Sequence, residues 1–143
     1  MKDLRYGIEI EMTGLSRGKA AETLAGFFGT RAEHTGGGYD AYAVRDAQGR
    51  VWKLVSDGSI QTQKKVRGQT VAADSTYSVE LVSPVCVYED IGTIQEIVRA
   101  LRRNSALVND SCGIHVHVGA EKFDAQHLRN ITNIMASKEE LIY

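Results

Sequence analysis

The chain has 143 residues and a mass of 15.7 kDa, close to one domain of the usual ~100–200 residues. An apolar share of 43% and 17 basic against 18 acidic residues exclude an intrinsically disordered chain. A pI near 6.4 speaks against nucleic acid as a partner, and no apolar run approaches the ~18 residues of a membrane span.

From Leu4 to Met12, the residues Tyr6, Ile8, Ile10 and Met12 alternate with Gly7, Glu9 and Glu11. Period two predicts a strand with one apolar face and one face carrying two carboxylates. Thr13-Gly14-Leu15-Ser16 turns the chain. Ser16 is placed to cap a helix of about Gly18 to Phe28, where Ala20, Ala21, Leu24, Phe27 and Phe28 recur at helical spacing and Gly29 closes the end. Arg31 to His34 reads as a short strand and Gly36-Gly37-Gly38 as a mobile break. Tyr39 to Asp46 and Arg50 to Val55 alternate around Asp46-Ala47-Gln48-Gly49, which predicts a β-hairpin.

Gln61 to Asp74 is polar and holds Lys64, Lys65 and Arg67; it reads as a long loop or an extended hairpin tip. Thr76 to Val82 is a further strand, ended by Pro84, which cannot donate to a ladder. Glu89 to Arg103 carries Ile91, Ile94, Ile97, Val98 and Leu101 at helical spacing, with Arg99, Arg102 and Arg103 near the end where cations suit the helix dipole. Ala106 to Val108 reads as a short strand. Gly113 to Val118 alternates apolar residues with His115 and His117, and Phe123 to Met135 returns to a helical pattern. Ser137-Lys138-Glu139-Glu140 has the form of a capping box before Leu141-Ile142-Tyr143. Read as a helix start with no helix behind it, it implies a chain that lacks C-terminal elements. The alternative is that the preceding helix continues through Ser137.

Four constellations carry chemistry. Glu9 and Glu11 point the same way on a strand, roughly 6.6–6.8 Å apart along it. A hard cation such as magnesium would relieve their repulsion; a solvated outer face of an edge strand is the alternative. His115 and His117 share a strand face in the same way and suit a metal or phosphate, or are satisfied surface histidines. Glu80 sits among apolar neighbours on its strand, on a solvent face or in a polar site. Asp57-Gly58-Ser59 follows a strand and is an ordinary turn or a loop facing a site. The lysines and arginine at 64, 65 and 67 read as a solvated loop before a phosphate clamp. There is no P-loop, no GxGxxG and no GxSxG elbow. Cys86 and Cys112 form no CxxC pair, and with no signal-peptide core at the N-terminus they read as reduced thiols of a cytoplasmic protein.

Taken in order, Tyr6-Gly7-Ile8-Glu9-Ile10-Glu11, Trp52-Lys53-Leu54-Val55-Ser56-Asp57-Gly58-Ser59, Val79-Glu80-Leu81-Val82-Ser83-Pro84 and Ser111-Cys112-Gly113-Ile114-His115-Val116-His117 resemble the amidoligase family. That family belongs to the carboxylate–amine ligase superfamily, with glutamine synthetase and glutamate–cysteine ligase. The resemblance implies an α+β fold in which an antiparallel sheet forms a platform and helices pack on one face. It implies joining of a small-molecule or peptide carboxylate to an amine with ATP and Mg2+, through an acyl phosphate. Glu9, Glu11, Glu80 and His115 would then be metal ligands. Asp57 and His117 would be catalytic, and Lys53, Ser59 and Ser83 would contact substrate or nucleotide. Family members extend well past the HxH strand, so residues 1–143 are expected to form a single amidoligase-like domain without its C-terminal elements, with self-association as a consequence. Two other readings stand beside this one: a zinc hydrolase built on His115, His117 and a carboxylate, and a non-catalytic binding module.

Overall fold

The computed structural model describes residues 4–142. Strand β1 (Tyr6–Met12) follows the period-two pattern and lies inside a six-stranded sheet, order β2-β3-β4-β7-β1-β8, in which every neighbouring pair is antiparallel. The other strands of that sheet are β2 (Ala32–Gly36), β3 (Ala41–Arg45), β4 (Val51–Val55), β7 (Val79–Val82) and β8 (Ile114–Val118). Strands β5 (Gln63–Val66) and β6 (Gln69–Ala72) pair only with each other.

The alternation sorts the sheet into two faces. Ile10, Met12, Val44, Trp52, Leu54, Val79 and Leu81 turn to one side, where helices α1 (Arg17–Phe28) and α2 (Ile91–Arg103) cover them. Ala20, Ala21 and Leu24 of α1 and Ile94, Ile97 and Leu101 of α2 complete this core. Burying a large apolar side chain of this kind stabilises by about 1.5–3 kcal/mol. Ser16 caps α1 by accepting from the Lys19 amide at 3.3 Å, and Gly29 ends it in the left-handed conformation, as the sequence predicts. The α+β class and the platform with helices on one face are both present.

Charged groups also hold this side together. Arg50 forms paired hydrogen bonds to Asp90 at 2.8 and 2.9 Å and another to Asp46 at 2.8 Å. Asp46 in turn accepts from the Trp52 indole at 3.2 Å. The β3–β4 hairpin is thereby fixed to the start of α2.

Several expectations are corrected. Gly36-Gly37-Gly38 is no break: with Gly36 and Gly37 at φ 68° and 76°, it turns β2 into β3 as a second hairpin. Of the two readings of Gln61 to Asp74, the hairpin is the one found: Arg67 and Gly68 both take positive φ, as a tight two-residue turn between right-twisted strands requires. The Thr76–Val82 strand is shorter, because Ser75–Tyr77 forms a 3-10 turn capped by Asp74. Ala106 to Val108 contributes a single bridge, Leu107 to Thr13. At Ser137 the helix-start reading is overturned and its alternative holds: α3 (Ala125–Ile142) continues through it, and the Ser137 hydroxyl donates back to the Ile134 carbonyl at 3.0 Å. Edge strand β8 is exposed along its length. So is α3 over residues 125–141, where Leu128, Ile131, Ile134 and Met135 stay uncovered. Among the described residues no helix is long and apolar enough to cross a membrane.

Candidate functional site

The face of the sheet opposite the helices carries the charged residues of β1, β4 and β7, with Val55 and Val82 among them. In antiparallel pairs, residues directly opposite one another project to the same side. Glu9 pairs with His115 of β8 and with Val82 of β7; Gly7 pairs with His117 and Glu11 with Glu80. Lys53 of β4 pairs with Val82 and Val55 with Glu80. The register therefore gathers Glu9, Glu11, Glu80, His115, His117 and Lys53 on one open face. Asp57 reaches the same place from the loop that follows β4.

The contacts are direct. One oxygen of Glu9 lies 3.2 Å from Nδ1 of His115, and its other oxygen lies 3.2 Å from Nε2 of His117. Glu11 is 5% exposed and accepts from the Gly113 amide at 2.7 Å. Asp57 accepts from both the amide and the hydroxyl of Ser59, each at 2.7 Å.

The electrostatics of the carboxylates diverge. The His117 hydrogen bond, aided by His115, holds Glu9 below the usual glutamate range against some desolvation. Glu80 is pushed up, first by burial and then by the charges of Glu9, Asp57 and Glu11, with His115 opposing. The Ser59 hydrogen bonds hold Asp57 low. Glu80 is thus the carboxyl group of the cluster whose charged form burial and its acidic neighbours most disfavour.

Two sets of ligand atoms lie within 4.8 Å of one another: Glu9, Glu80 and His115; and Glu11, Asp57 and Glu80. Glu80 is common to both. Neither set includes His117, whose ring turns to Glu9 beside an open cleft of about 270 Å³ lined by Arg5, Gly7, Ser83 and Glu121 among others. Gly7, without a side chain, leaves room there between His117 and Ser83.

Ser59 and Ser83 differ in what their hydroxyls do. That of Ser59 is taken by Asp57. That of Ser83 accepts from the Ile8 amide at 2.9 Å and donates to the Pro84 carbonyl at 2.8 Å, patching the ladder where the proline interrupts it. Sequence reasoning passed over Ser78, 3% exposed, whose hydroxyl accepts from the Asp57 amide at 2.9 Å and donates to the Asp57 carbonyl at 2.6 Å. It also passed over Asn109, whose side chain accepts from the amide and hydroxyl of Ser111 and donates to the Gln61 carbonyl at 2.8 Å. Ser78 stands in no motif and its Asp57 partner lies 21 residues away; Asn109 carries the local signal of an Asx turn to Ser111, but nothing local points to its bond with Gln61, 48 residues away.

A family profile described as "Putative amidoligase enzyme" matches residues 2–143. The chain belongs to this amidoligase family. No curated protein and no solved structure matches it at a significant level.

Proposed function

We propose that this sheet is the catalytic platform of an ATP- and magnesium-dependent ligase that joins a carboxylate to an amine. The observation that carries the reading is the convergence of Glu9, Glu11, Asp57, Glu80 and His115 on one open sheet face, in two ligand sets that share Glu80. The donor set fits magnesium: it is rich in carboxylate oxygen, and Glu80, raised first by burial and then by three neighbouring carboxylates, sits where a divalent cation would offset both. Zinc is less well matched. A zinc hydrolase built on the HxH strand needs both imidazoles on one ion, whereas His115 and His117 address different oxygens of Glu9.

In this reading the substrate carboxylate attacks the γ-phosphate of ATP, ADP leaves, and the amine then displaces phosphate from the acyl phosphate to give the amide. Glu9, Glu11, Glu80 and His115 would hold magnesium, with Asp57 able to complete the set of Glu11 and Glu80. The metal would neutralise charge on the phosphoryl group in transfer. Asp57, held ionised by Ser59, is a weak base and a good hydrogen-bond acceptor, which suits it to orient the amine. His117 borders the cleft with its Nε2 3.2 Å from Glu9, which suits it to act beside the reacting groups as a catalytic residue. Lys53 lies on the same face two strands from Glu9, roughly 9–10 Å by strand spacing, within reach of a phosphate bound between them. Ser59 and Ser83 act through the groups they hold in place.

Calorimetric titration of ATP into the purified chain, with and without magnesium, tests the reading. Magnesium-dependent binding that disappears in Glu9→Ala and His115→Ala is expected, followed by ADP release when carboxylate–amine pairs are supplied. A folded chain that binds neither magnesium nor ATP overturns it and favours a non-catalytic binding module.

A further inference from the structure

The Asp57 loop is held from behind by groups that no motif contains. The Ser78 hydroxyl engages both the amide and the carbonyl of Asp57, at 2.9 and 2.6 Å. Ser78 itself is gripped by Arg17, whose Nη1 donates to the Ser78 carbonyl at 2.7 Å and to the Ser75 carbonyl at 2.6 Å. The same guanidinium donates through Nε to the Asp40 carbonyl at 3.2 Å and through Nη2 to the Asp40 carboxylate. Arg17 is 4% exposed in the first turn of α1, so a full charge has been taken out of water at this spot. Burial of a charge is costly and is sustained where its donors are matched, as they are here.

Ser78 lies two residues before Glu80, immediately before β7. Asp57 and Glu80 belong to one ligand set with Glu11. One buried arginine thus ties the start of β7 to α1 and the β2–β3 turn, and one buried serine ties the Asp57 loop to the start of β7.

We propose that Arg17 and Ser78 are positioning residues that set the separation of Asp57 from Glu80 and Glu11, and through it the affinity of that ligand set for a divalent cation. The proposal rests on the metal-binding reading of the site. Groups that orient metal ligands from behind, when removed, lower metal affinity by about 10–100-fold. The hydroxyl of Ser78 is hydrogen-bonded to the Asp57 amide and carbonyl and accepts a longer bond from the Ser56 hydroxyl at 3.5 Å, so its effect on the ligand set runs through the backbone of the Asp57 loop.

The test uses Mn2+ as the probe, followed by electron paramagnetic resonance, on the full chain and on Ser78→Ala, Asp57→Ala and the double variant, each with its fold confirmed by circular dichroism. Ser78→Ala is expected to weaken Mn2+ binding by about tenfold or more. The double variant should bind no more weakly than Asp57→Ala, because both substitutions remove one interaction. Amide exchange should quicken at Asp57 and Ser59 in Ser78→Ala while the amides of β1 and β7 keep their protection. Arg17→Met should reproduce the loss in Mn2+ affinity in any preparation that folds. Mn2+ binding unchanged in Ser78→Ala, or effects of Ser78 and Asp57 that simply add, overturns the positioning role while leaving the metal site standing. A wild-type chain that binds no Mn2+ overturns the metal reading itself, and the positioning role with it.

Discussion

Glu11 of β1 and Glu80 of β7 stand directly opposite each other across an antiparallel ladder. Like charges in that relationship destabilise a sheet. The residue on the far side of Glu80, Val55 of β4, supplies no compensating cation. Glu11 has the Gly113 amide as a charge-assisted partner, while the Glu80 carboxyl is pushed up, first by burial and then by the charges of Glu9, Asp57 and Glu11. A repulsive pair at the centre of the sheet is a local inconsistency of the sort that marks functional sites.

Glu80→Gln should therefore stabilise the metal-free protein at neutral pH. A carboxyl whose pKa is raised on folding contributes its full stability below the unfolded value, about 4.3, and loses it as pH rises through the folded value. At pH 7, above the unfolded value, the raised carboxyl of Glu80 works against the fold. Thermal melts in EDTA should show Glu80→Gln melting a few degrees above wild type at pH 7, with the difference closing as pH falls towards 4. A variant that melts lower at pH 7 contradicts this account of the cluster.

Magnesium should reverse that order. A ligand that binds only the folded state stabilises it by about 2.7 kcal/mol at a hundred times its Kd. Raising magnesium should lift the melting temperature of wild type and leave Glu80→Gln unmoved, since Glu80 belongs to both ligand sets. Equal shifts in the two proteins would place cation binding elsewhere.

Arg50→Ala should destabilise the protein by about 3–5 kcal/mol, because it strands two carboxylates that are nearly buried. Asp90 is held below the ordinary range by its Arg50 hydrogen bonds. Asp46 is held low too: burial works to raise it, but the Trp52 and Arg50 hydrogen bonds prevail. Depressed carboxylates contribute stability above their unfolded pKa, about 3.9, and lose it as pH falls through the lower folded values. Wild type should thus lose stability on acidification below pH 4, and Arg50→Ala should lose far less there. Urea unfolding across that range reads both effects.

Gly14→Ala should cost at least about 1–3 kcal/mol. Gly14 has φ +88°, and a Cβ there would lie 2.4 Å from the Ser105 carbonyl oxygen and 2.6 Å from Leu107 Cγ. The Gly14 amide also donates to the Gln63 carbonyl at 2.9 Å, so the clash should loosen the β5–β6 hairpin. A urea midpoint equal to wild type would show that the 105–107 segment yields at no cost.

The period-two stretches at Tyr6–Met12 and Ile114–Val118 were legible without any structure. Alternation alone put Glu9 with Glu11, and His115 with His117, on the polar side of their strands, and the order of the motifs pointed to the amidoligase family. Alternation is a property of single strands, so it says which residues share a face and nothing about which strands are neighbours. That Glu11 faces Glu80, that His115 and His117 divide the two oxygens of Glu9, and that Ser78 holds Asp57 all follow from the order β4-β7-β1-β8. The same limit explains the misreading of Ser137. A capping box and a serine inside a continuing helix share one local pattern, and the path of the backbone decides between them. Local periodicity determined the chemistry each strand carries; long-range pairing, which no local pattern encodes, decided which of those groups meet.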